Sequence, residues 1–289
     1  MSTKCTASER TLALFSDLAV YLFAVWTLER GAYVKETTQF YNDLARYYHL
    51  IFKDWDASMA RQADLLERLI RTGLPQSEPV SARILDAACG IGTQTLPLAA
   101  RGFQVVARDL SPAAIARLRQ EAETRKLVID AAVADMRQVN SSLSGSFDVV
   151  LAFDNSIAHL LTDADLSVAF REFLSALRPG GLFLCSVRDY DNVKRGEPSI
   201  HSYGVRQQHG EKFQLRQEWV WYGPMHYQAT FIIDKETSTG LASEFSSTSE
   251  FYAVSTSRLL ELMGDAGFEH CNRIDEIMYQ PILTGMKTA

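Results

Sequence analysis

The chain has 289 residues, 47% hydrophobic and 22% charged, which is enough apolar material for a full core; one domain with an insertion suits this length better than two equal domains. A formal net charge of -6 and the lack of any dense Lys/Arg run exclude a phosphate-backbone partner such as nucleic acid, whose binding needs clustered cations. Four widely spaced cysteines (Cys5, Cys89, Cys185, Cys271) form no CxxC pair and read as reduced thiols of a cytoplasmic protein, and six histidines without metal-ligand spacing give no reason to expect a metal.

Residues 1–33 are an apolar extension. Thr11 to Leu28 is mostly apolar but contains Ser16 and Asp17, is borderline in length for a membrane span, and is followed by no small-residue cleavage site. Three readings stay open: a helix lying on the domain or on a partner, an extension outside the functional fold, and a membrane anchor. From residue 34 onward the chain reads as one domain to residue 289. Phe40, Tyr41, Leu44, Tyr47, Tyr48 and Ile51 recur at helical spacing, as do Met59, Leu65, Leu66, Leu69 and Ile70, so two helices are predicted before Gly73 and Pro75.

Ile84-Leu85-Asp86-Ala87-Ala88-Cys89-Gly90-Ile91-Gly92-Thr93 then runs from an apolar strand pattern into two glycines. A helix pattern follows, and Val105-Val106-Ala107-Arg108-Asp109 ends a second apolar run on an acid. Strand, glycine turn, helix and acid-tipped strand make a nucleoside-binding βαβ unit. Gly90 and Gly92 allow a ligand close to the backbone, and Asp109 can accept both ribose hydroxyls. The dinucleotide pattern wants a third glycine where this chain has Thr95, which disfavours NAD. Asp86, beneath the turn, would repel a pyrophosphate but suits a cationic amino acid moiety such as that of S-adenosylmethionine (SAM).

Ser111 as N-cap and Pro112 at the first helical position open a helix through about Arg125. Val128 to Val133 forms a third strand leading to Asp135-Met136, and Phe147 to Phe153 a buried fourth, with Asp154-Asn155-Ser156 at its carboxyl end. Thr162 with Asp165 caps a helix that stops at Pro179-Gly180-Gly181, and Leu182 to Val187 gives a fifth strand. Three antiparallel segments follow, Phe213 to Trp221, His226 to Asp234 and Glu244 to Tyr252, within an insertion spanning 189–252 that covers the strand tips. A helix near Ser257 to Ala266 and strands around His270 to Ile277 and Pro281 to Met286 close the sheet.

The Asp-x-Ala-Cys-Gly-x-Gly-Thr run resembles the glycine-rich segment of class I SAM-dependent methyltransferases. The resemblance implies an α/β, Rossmann-like three-layer fold whose seven-stranded, mostly parallel sheet reverses only its last strand, with the antiparallel insertion after strand 5. It implies SAM as cofactor, held by Asp86, Ala88, Gly90, Gly92, Asp109, Leu110, Asp135, Met136 and Phe153, with Asp135 accepting the adenine amino hydrogens and Met136 against the ring.

Asp154-Asn155-Ser156-Ile157-Ala158-His159-Leu160 and Leu177-Arg178-Pro179-Gly180-Gly181-Leu182, leading to Arg188-Asp189-Tyr190-Asp191, look like the glycine and glycine/sarcosine N-methyltransferase group. By position, the likeness gives Asn155 the substrate's amine or carboxylate and Arg188 its carboxylate, a planar partner for a guanidinium fork. The blander alternatives are a ligand-free turn at Asn155 and a surface ion pair at Arg188. Tyr41, Tyr47 and Tyr48 are candidates for the group's tyrosines over the substrate, and Arg61 is the nearest match to its arginine beside the cofactor carboxylate. Trp219, Trp221, Tyr222 and Tyr227 form either a lid or the core of the insertion, and His159 either takes a proton or packs. The expected partner is a small amine or amino acid, and an oligomer is compatible with the sequence. Two other functions stay open: methylation of another small amine or hydroxyl, and SAM binding without catalysis.

Overall fold

The computed structural model describes residues 34–74 and 82–288. Thr11 to Leu28, and with it the choice among the three readings of the extension, lies outside the described residues. Among those described, no helix is long and apolar enough to cross a membrane.

Seven strands form the main sheet: β1 (Arg83–Asp86), β2 (Gln104–Asp109), β3 (Asp130–Val133), β4 (Phe147–Ala152), β5 (Leu177–Ser186), β10 (Glu269–Ile274) and β11 (Ile282–Met286), in the order β10-β11-β5-β4-β1-β2-β3. β11 runs antiparallel to both of its neighbours and the remaining pairs are parallel, as expected. Parallel strands need helical crossovers, and these cover both faces, which is why the central strands are apolar on both sides.

Ile84, Val149, Leu151 and Leu184 face α2 (Trp55–Gly73) and α3 (Thr95–Ala100) through Leu66, Ile70 and Leu98. Leu85, Val150 and Phe183 face α5 (Asp163–Ala176) and α6 (Thr256–Ala266) through Phe170, Phe173 and Leu259. α4 (Pro112–Thr124) packs Ile115 and Leu118 against Ala107 and Ala131.

Local chemistry sets the helix starts. Ser111 Oγ accepts the Ala114 amide at 3.0 Å and Thr162 Oγ1 accepts the Asp165 amide at 3.1 Å, each satisfying a donor that the first turn leaves open. Pro179-Gly180-Gly181 proves to be something other than a helix stop: α5 ends at Ala176, and the three residues lie inside β5. There the pairing with β4 jumps from Phe147↔Leu177 to Val149↔Leu182, so the extra residues are absorbed as an irregularity at the strand's start. The first predicted helix is also shorter than its apolar spacing suggests. Helical backbone over 34–44, here α1, gives way to a 3-10 turn over Tyr48–Ile51.

The insertion holds a second sheet of four antiparallel strands, one more than expected: β6 (Ser199–Gln208), β7 (Glu211–Trp221), β8 (His226–Thr237) and β9 (Gly240–Tyr252). At one end its inner face gives Trp219, Tyr227 and Phe251 to the core. At the other, Phe213, Leu215, Phe231, Ile233 and Phe245 pack on Phe40, Leu44 and Leu50. Insertion and N-terminal helix thus form a roof over the carboxyl ends of β1, β2, β4 and β5.

Candidate active site

Beneath that roof lie two adjoining cavities. A narrow slot of about 80 Å³ is lined by Ala88, Gly90, Asp109, Leu110, Asp135, Met136 and Phe153, among others, and a larger cavity of about 590 Å³ by Asn155, Arg188, His201, Gln217 and Phe231, among others. Tyr41, Tyr48 and Asp154 line both and so stand where the two meet.

The slot is built on strand tips. Asp109, the last residue of β2, receives the Gly90 amide on Oδ2 and the Ser111 amide on Oδ1, both at 2.8 Å. Each oxygen keeps a lone pair for a further donor. Burial raises the Asp109 carboxyl, and the amides of Ser111 and Gly90 pull against that rise. Gly90 has φ +51°, and a Cβ built on it would find no atom within 4 Å, so the backbone there is open to a ligand. Asp135 follows β3 and is ion-paired with Arg137, at 2.5 Å between Oδ2 and Nη2; Arg137 in turn reaches Asp165 at 3.3 Å. The sequence gives no hint of that pairing.

Asp86 and Gly92 stand behind the lining. Asp86 is fully buried, with Oδ2 accepting the Thr95 hydroxyl at 2.6 Å and Oδ1 without a hydrogen-bond partner; burial pushes its carboxyl up to about 7. Gly92 has φ +102°, and a Cβ there would lie 2.5 Å from Leu118 Cδ1 and 2.7 Å from Leu96 Cγ. It serves the packing of α3 and α4 and does not border the slot.

Where the cavities meet, the Tyr41 hydroxyl lies 2.7 Å from His159 Nε2, and His159 Nδ1 lies 3.1 Å from the Glu250 carbonyl oxygen. A carbonyl only accepts, so Nδ1 carries the proton, Nε2 accepts, and Tyr41 donates. Burial brings His159 down to about 4, which keeps the ring neutral, and burial raises Tyr41. Asp154 and Asn155 follow β4 with positive φ of 57° and 66°, a conformation costly for residues with a Cβ. The Ser186 hydroxyl holds the Asp154 amide at 2.8 Å, and the Ser186 carbonyl accepts the Asn155 amide at 3.1 Å.

In the larger cavity, Asn155 is buried and occupied at both ends of its amide. Nδ2 donates to the Tyr190 hydroxyl at 2.8 Å, and Oδ1 accepts the Arg188 backbone amide at 3.0 Å. Arg188 lies 4.5 Å over the Trp219 ring, has no carboxylate partner among the described residues, and has a buried Nε without a hydrogen-bond partner. The surface ion pair is therefore not what the structure shows. Burial acts against the charge, while the nearby Tyr227, Tyr190 and Tyr203 rings favour it and leave the guanidinium above its ordinary range.

The other aromatic candidates divide. Tyr47 donates to Glu244 at 2.5 Å and stays out of both cavities, and Trp55 donates to Thr93 at 3.0 Å. Trp219 and Tyr227 are core, with Tyr227 also bordering the larger cavity, whereas Tyr222 is exposed. Arg61 is exposed and lines the larger cavity, not the slot. Gln94, Gln217 and His201 went unnoticed in the sequence because they belong to no motif; cross-strand register alone brings His201, Gln217 and Phe231 into one row.

Residues 84–181 match the methyltransferase domain family. The chain is 30% identical over 172 residues to the glycine/sarcosine N-methyltransferase of Parasynechococcus marenigrum (strain WH8102), covering 60% of this chain and 57% of that protein. To the glycine/sarcosine N-methyltransferase of Halorhodospira halochloris it is 32% identical over 152 residues, covering 52% and 54%. The chain thus spans somewhat over half the length of these curated relatives.

Among solved structures it resembles a SAM-bound amino pentose methyltransferase of Micromonospora echinaspora, with a TM-score of 0.67 and 20% identity over 80% of this chain and 92% of that one. It also resembles a sugar N-methyltransferase of Streptoalloteichus sp ATCC 53650, with a TM-score of 0.63 and 22% identity over 80% and 88%. Residues 84–181 are thus similar to a methyltransferase domain, and the described residues share the fold of solved SAM-dependent methyltransferases.

Proposed function

We propose that this protein is a cytoplasmic SAM-dependent N-methyltransferase whose acceptor is a small amine bearing a carboxylate, such as glycine, sarcosine or a related amino acid. The observation that carries the acceptor class is Arg188: a guanidinium held over Trp219, facing a cavity, with no carboxylate among the described residues to neutralise it. A half-buried cation without a partner is costly unless a ligand supplies the opposite charge.

The residues of the slot fit SAM. Asp109 has lone pairs left for two ribose hydroxyls, Gly90 opens the backbone, Met136 and Phe153 supply apolar surface for a purine, and the unpartnered Oδ1 of Asp86 leaves a carboxyl oxygen free behind the turn. Bound there, SAM supplies an electrophilic methyl group on a sulfonium. Arg188 would fix the acceptor's carboxylate end, with Asn155 holding the Arg188 backbone in place, leaving the nitrogen free towards Tyr41 and Asp154. The roof of α1 and the insertion covers the junction of the cavities, and holding both reactants in one geometry is the main catalytic contribution such a displacement needs.

A second reading rests on the cavity of about 590 Å³, far more room than glycine needs, and on the amino pentose and sugar N-methyltransferases that share the fold. It gives the protein a larger amine acceptor without a carboxylate. SAM turnover measured against glycine, sarcosine, larger amino acids, an amino sugar, phosphoethanolamine and a phenol separates the two. Turnover confined to carboxylate-bearing amines supports the proposal, and turnover of the amino sugar alone supports the second reading.

A further inference from the structure

The larger cavity contains a second charge opposite in sign to Arg188. Asp154 enters both cavities from the carboxyl end of β4, and its hydrogen-bond partners are neutral: Gln94 Nε2 at 3.1 Å and the Tyr279 hydroxyl on its carboxylate, and the Ser186 hydroxyl on its amide. No Lys, Arg or His pairs with it among the described residues. Asp189, the other carboxylate of that lining, is taken by Arg273 at 2.7 Å.

Gln94 is itself fixed, donating also to Gln62 at 2.7 Å, so a chain of neutral amides reaches from α2 to hold this carboxylate in a strained left-handed turn. The Ser186 hydroxyl and Gln94 fix this turn, and they place a carboxylate with no cationic partner among the described residues at the junction of the cavities.

We infer that Asp154 receives the acceptor's ammonium group and takes one proton from it, making Arg188 and Asp154 the two poles of a zwitterion receptor. This rests on the amino acid reading above. An N–H bond of the ammonium breaks with its electron pair staying on nitrogen, and an O–H bond forms on an Asp154 oxygen. A cation and an anion become two neutral groups, and the freed lone pair is what methylation requires; the proton later returns to water.

Burial raises the Asp154 carboxyl, which brings its proton affinity closer to that of an amine, while the Tyr279 and Gln94 hydrogen bonds pull against that rise. The titratable groups around it are Tyr279 from the β10–β11 loop, Tyr41 and Tyr48 from the N-terminal segment, and Asp86 and Asp109 at the tips of β1 and β2, while Arg188, Arg61 and Lys53 line the larger cavity with it and His159 the slot. None of these cations pairs with Asp154 among the described residues, so its carboxylate is left for a substrate ammonium.

The test uses the full chain saturated with S-adenosylhomocysteine and three probes, glycine, acetate and methylamine, followed by ligand-observed NMR titration. Asp154→Asn keeps acceptors for Tyr279 and removes only the charge. It should weaken methylamine and glycine about tenfold or more and leave acetate within about twofold. Unchanged methylamine binding in Asp154→Asn overturns the inference, as does a wild-type protein that binds neither glycine nor methylamine.

If Asp154→Asn loses methylamine while Arg188→Ala leaves acetate untouched, the carboxylate reading fails and the role of Asp154 stands. Tyr279→Phe, at an exposed ring, removes a bond that favours the ionised carboxylate. It should shift upward the pH at which methylamine binding is half lost, and no shift counts against the inference.

Discussion

Tyr41 donates its hydroxyl hydrogen to His159 Nε2 across 2.7 Å, because Nδ1 of that ring is committed to the Glu250 carbonyl. The phenol oxygen is thereby left with its lone pairs at the meeting of the two cavities, where a substrate nitrogen would offer hydrogens. Tyr41→Phe should lower kcat about tenfold or more while changing SAM affinity much less. His159→Gln, which retains an acceptor for the phenol, should fall between wild type and Tyr41→Phe. Steady-state kinetics with calorimetric SAM titrations check both, and a Tyr41→Phe enzyme with unaltered kcat removes the residue from the site.

Asp109 already holds two backbone amides, so its loss disturbs the turn as well as the ligand. Asp109→Ala should weaken SAM binding by roughly a factor of ten to a hundred, since charge-assisted hydrogen bonds are worth about 1.5–3 kcal/mol. Calorimetry measures this directly, and retained affinity rejects the ribose assignment.

Arg188 stacks on Trp219, a geometry that a lysine ammonium cannot reproduce. Arg188→Ala should raise the amino acid KM about a hundredfold with SAM affinity nearly constant, and Arg188→Lys should recover less than about a tenth of the loss. Equal weakening of SAM and acceptor would mean that the residue supports the fold and does not clamp a carboxylate.

Asp86 and His159 make the stability of the protein depend on pH in opposite senses. From an ordinary 3.8, Asp86 is raised to about 7, so the native state holds an extra proton and this group's stabilisation, full below 3.8, is lost as pH rises through 7. From an ordinary 6.5, His159 is lowered to about 4, so its stabilisation, full above 6.5, is lost as pH falls through 4. Relative to wild type, Asp86→Asn should gain stability as pH rises from 4 to 7, and His159→Phe should gain it as pH falls from 6.5 to 4. Each change is on the order of 2–4 kcal/mol. Urea unfolding at pH 4.5 and 7 measures both, and parallel pH profiles for the two variants and wild type would contradict the assignment.

The two glycines of the turn should fail differently. Gly92→Ala meets Leu118 and Leu96 and a positive φ, so it should destabilise the protein by about 2–4 kcal/mol. Gly90→Ala has space around it and should cost only about 1 kcal/mol of stability, with its larger effect on SAM affinity. Thermal melts with and without SAM separate the two; a ligand-specific defect in Gly92→Ala would reverse their roles.

Legibility in the sequence followed how local the determining physics is. Ser111-Pro112 and Thr162 declare their helices because a cap is a contact over three residues, and Ile84 to Asp109 declares a parallel βαβ unit because period, glycine turn and terminal acid all fall within one motif. β6 escaped notice because it is an edge strand with no fully buried residue, so its sequence carries little alternation. Pro179-Gly180-Gly181 reads locally as a stop, and only pairing with β4 absorbs it into a strand. The pairing of Arg137 with Asp165, the Gln62–Gln94–Asp154 chain and the His201–Gln217 row depend on residues far apart in sequence, which no period or spacing encodes.

On the reading proposed above, the slot and the larger cavity form one path for methyl transfer, crossing at Tyr41, Tyr48 and Asp154. A crystal structure of the protein with S-adenosylhomocysteine and glycine tests it most directly. The expected complex has ribose hydroxyls on Asp109, the sulfur facing the junction, the glycine carboxylate on Arg188 and its nitrogen beside Asp154. A nucleoside bound elsewhere, or a glycine that leaves Arg188 untouched, would contradict it.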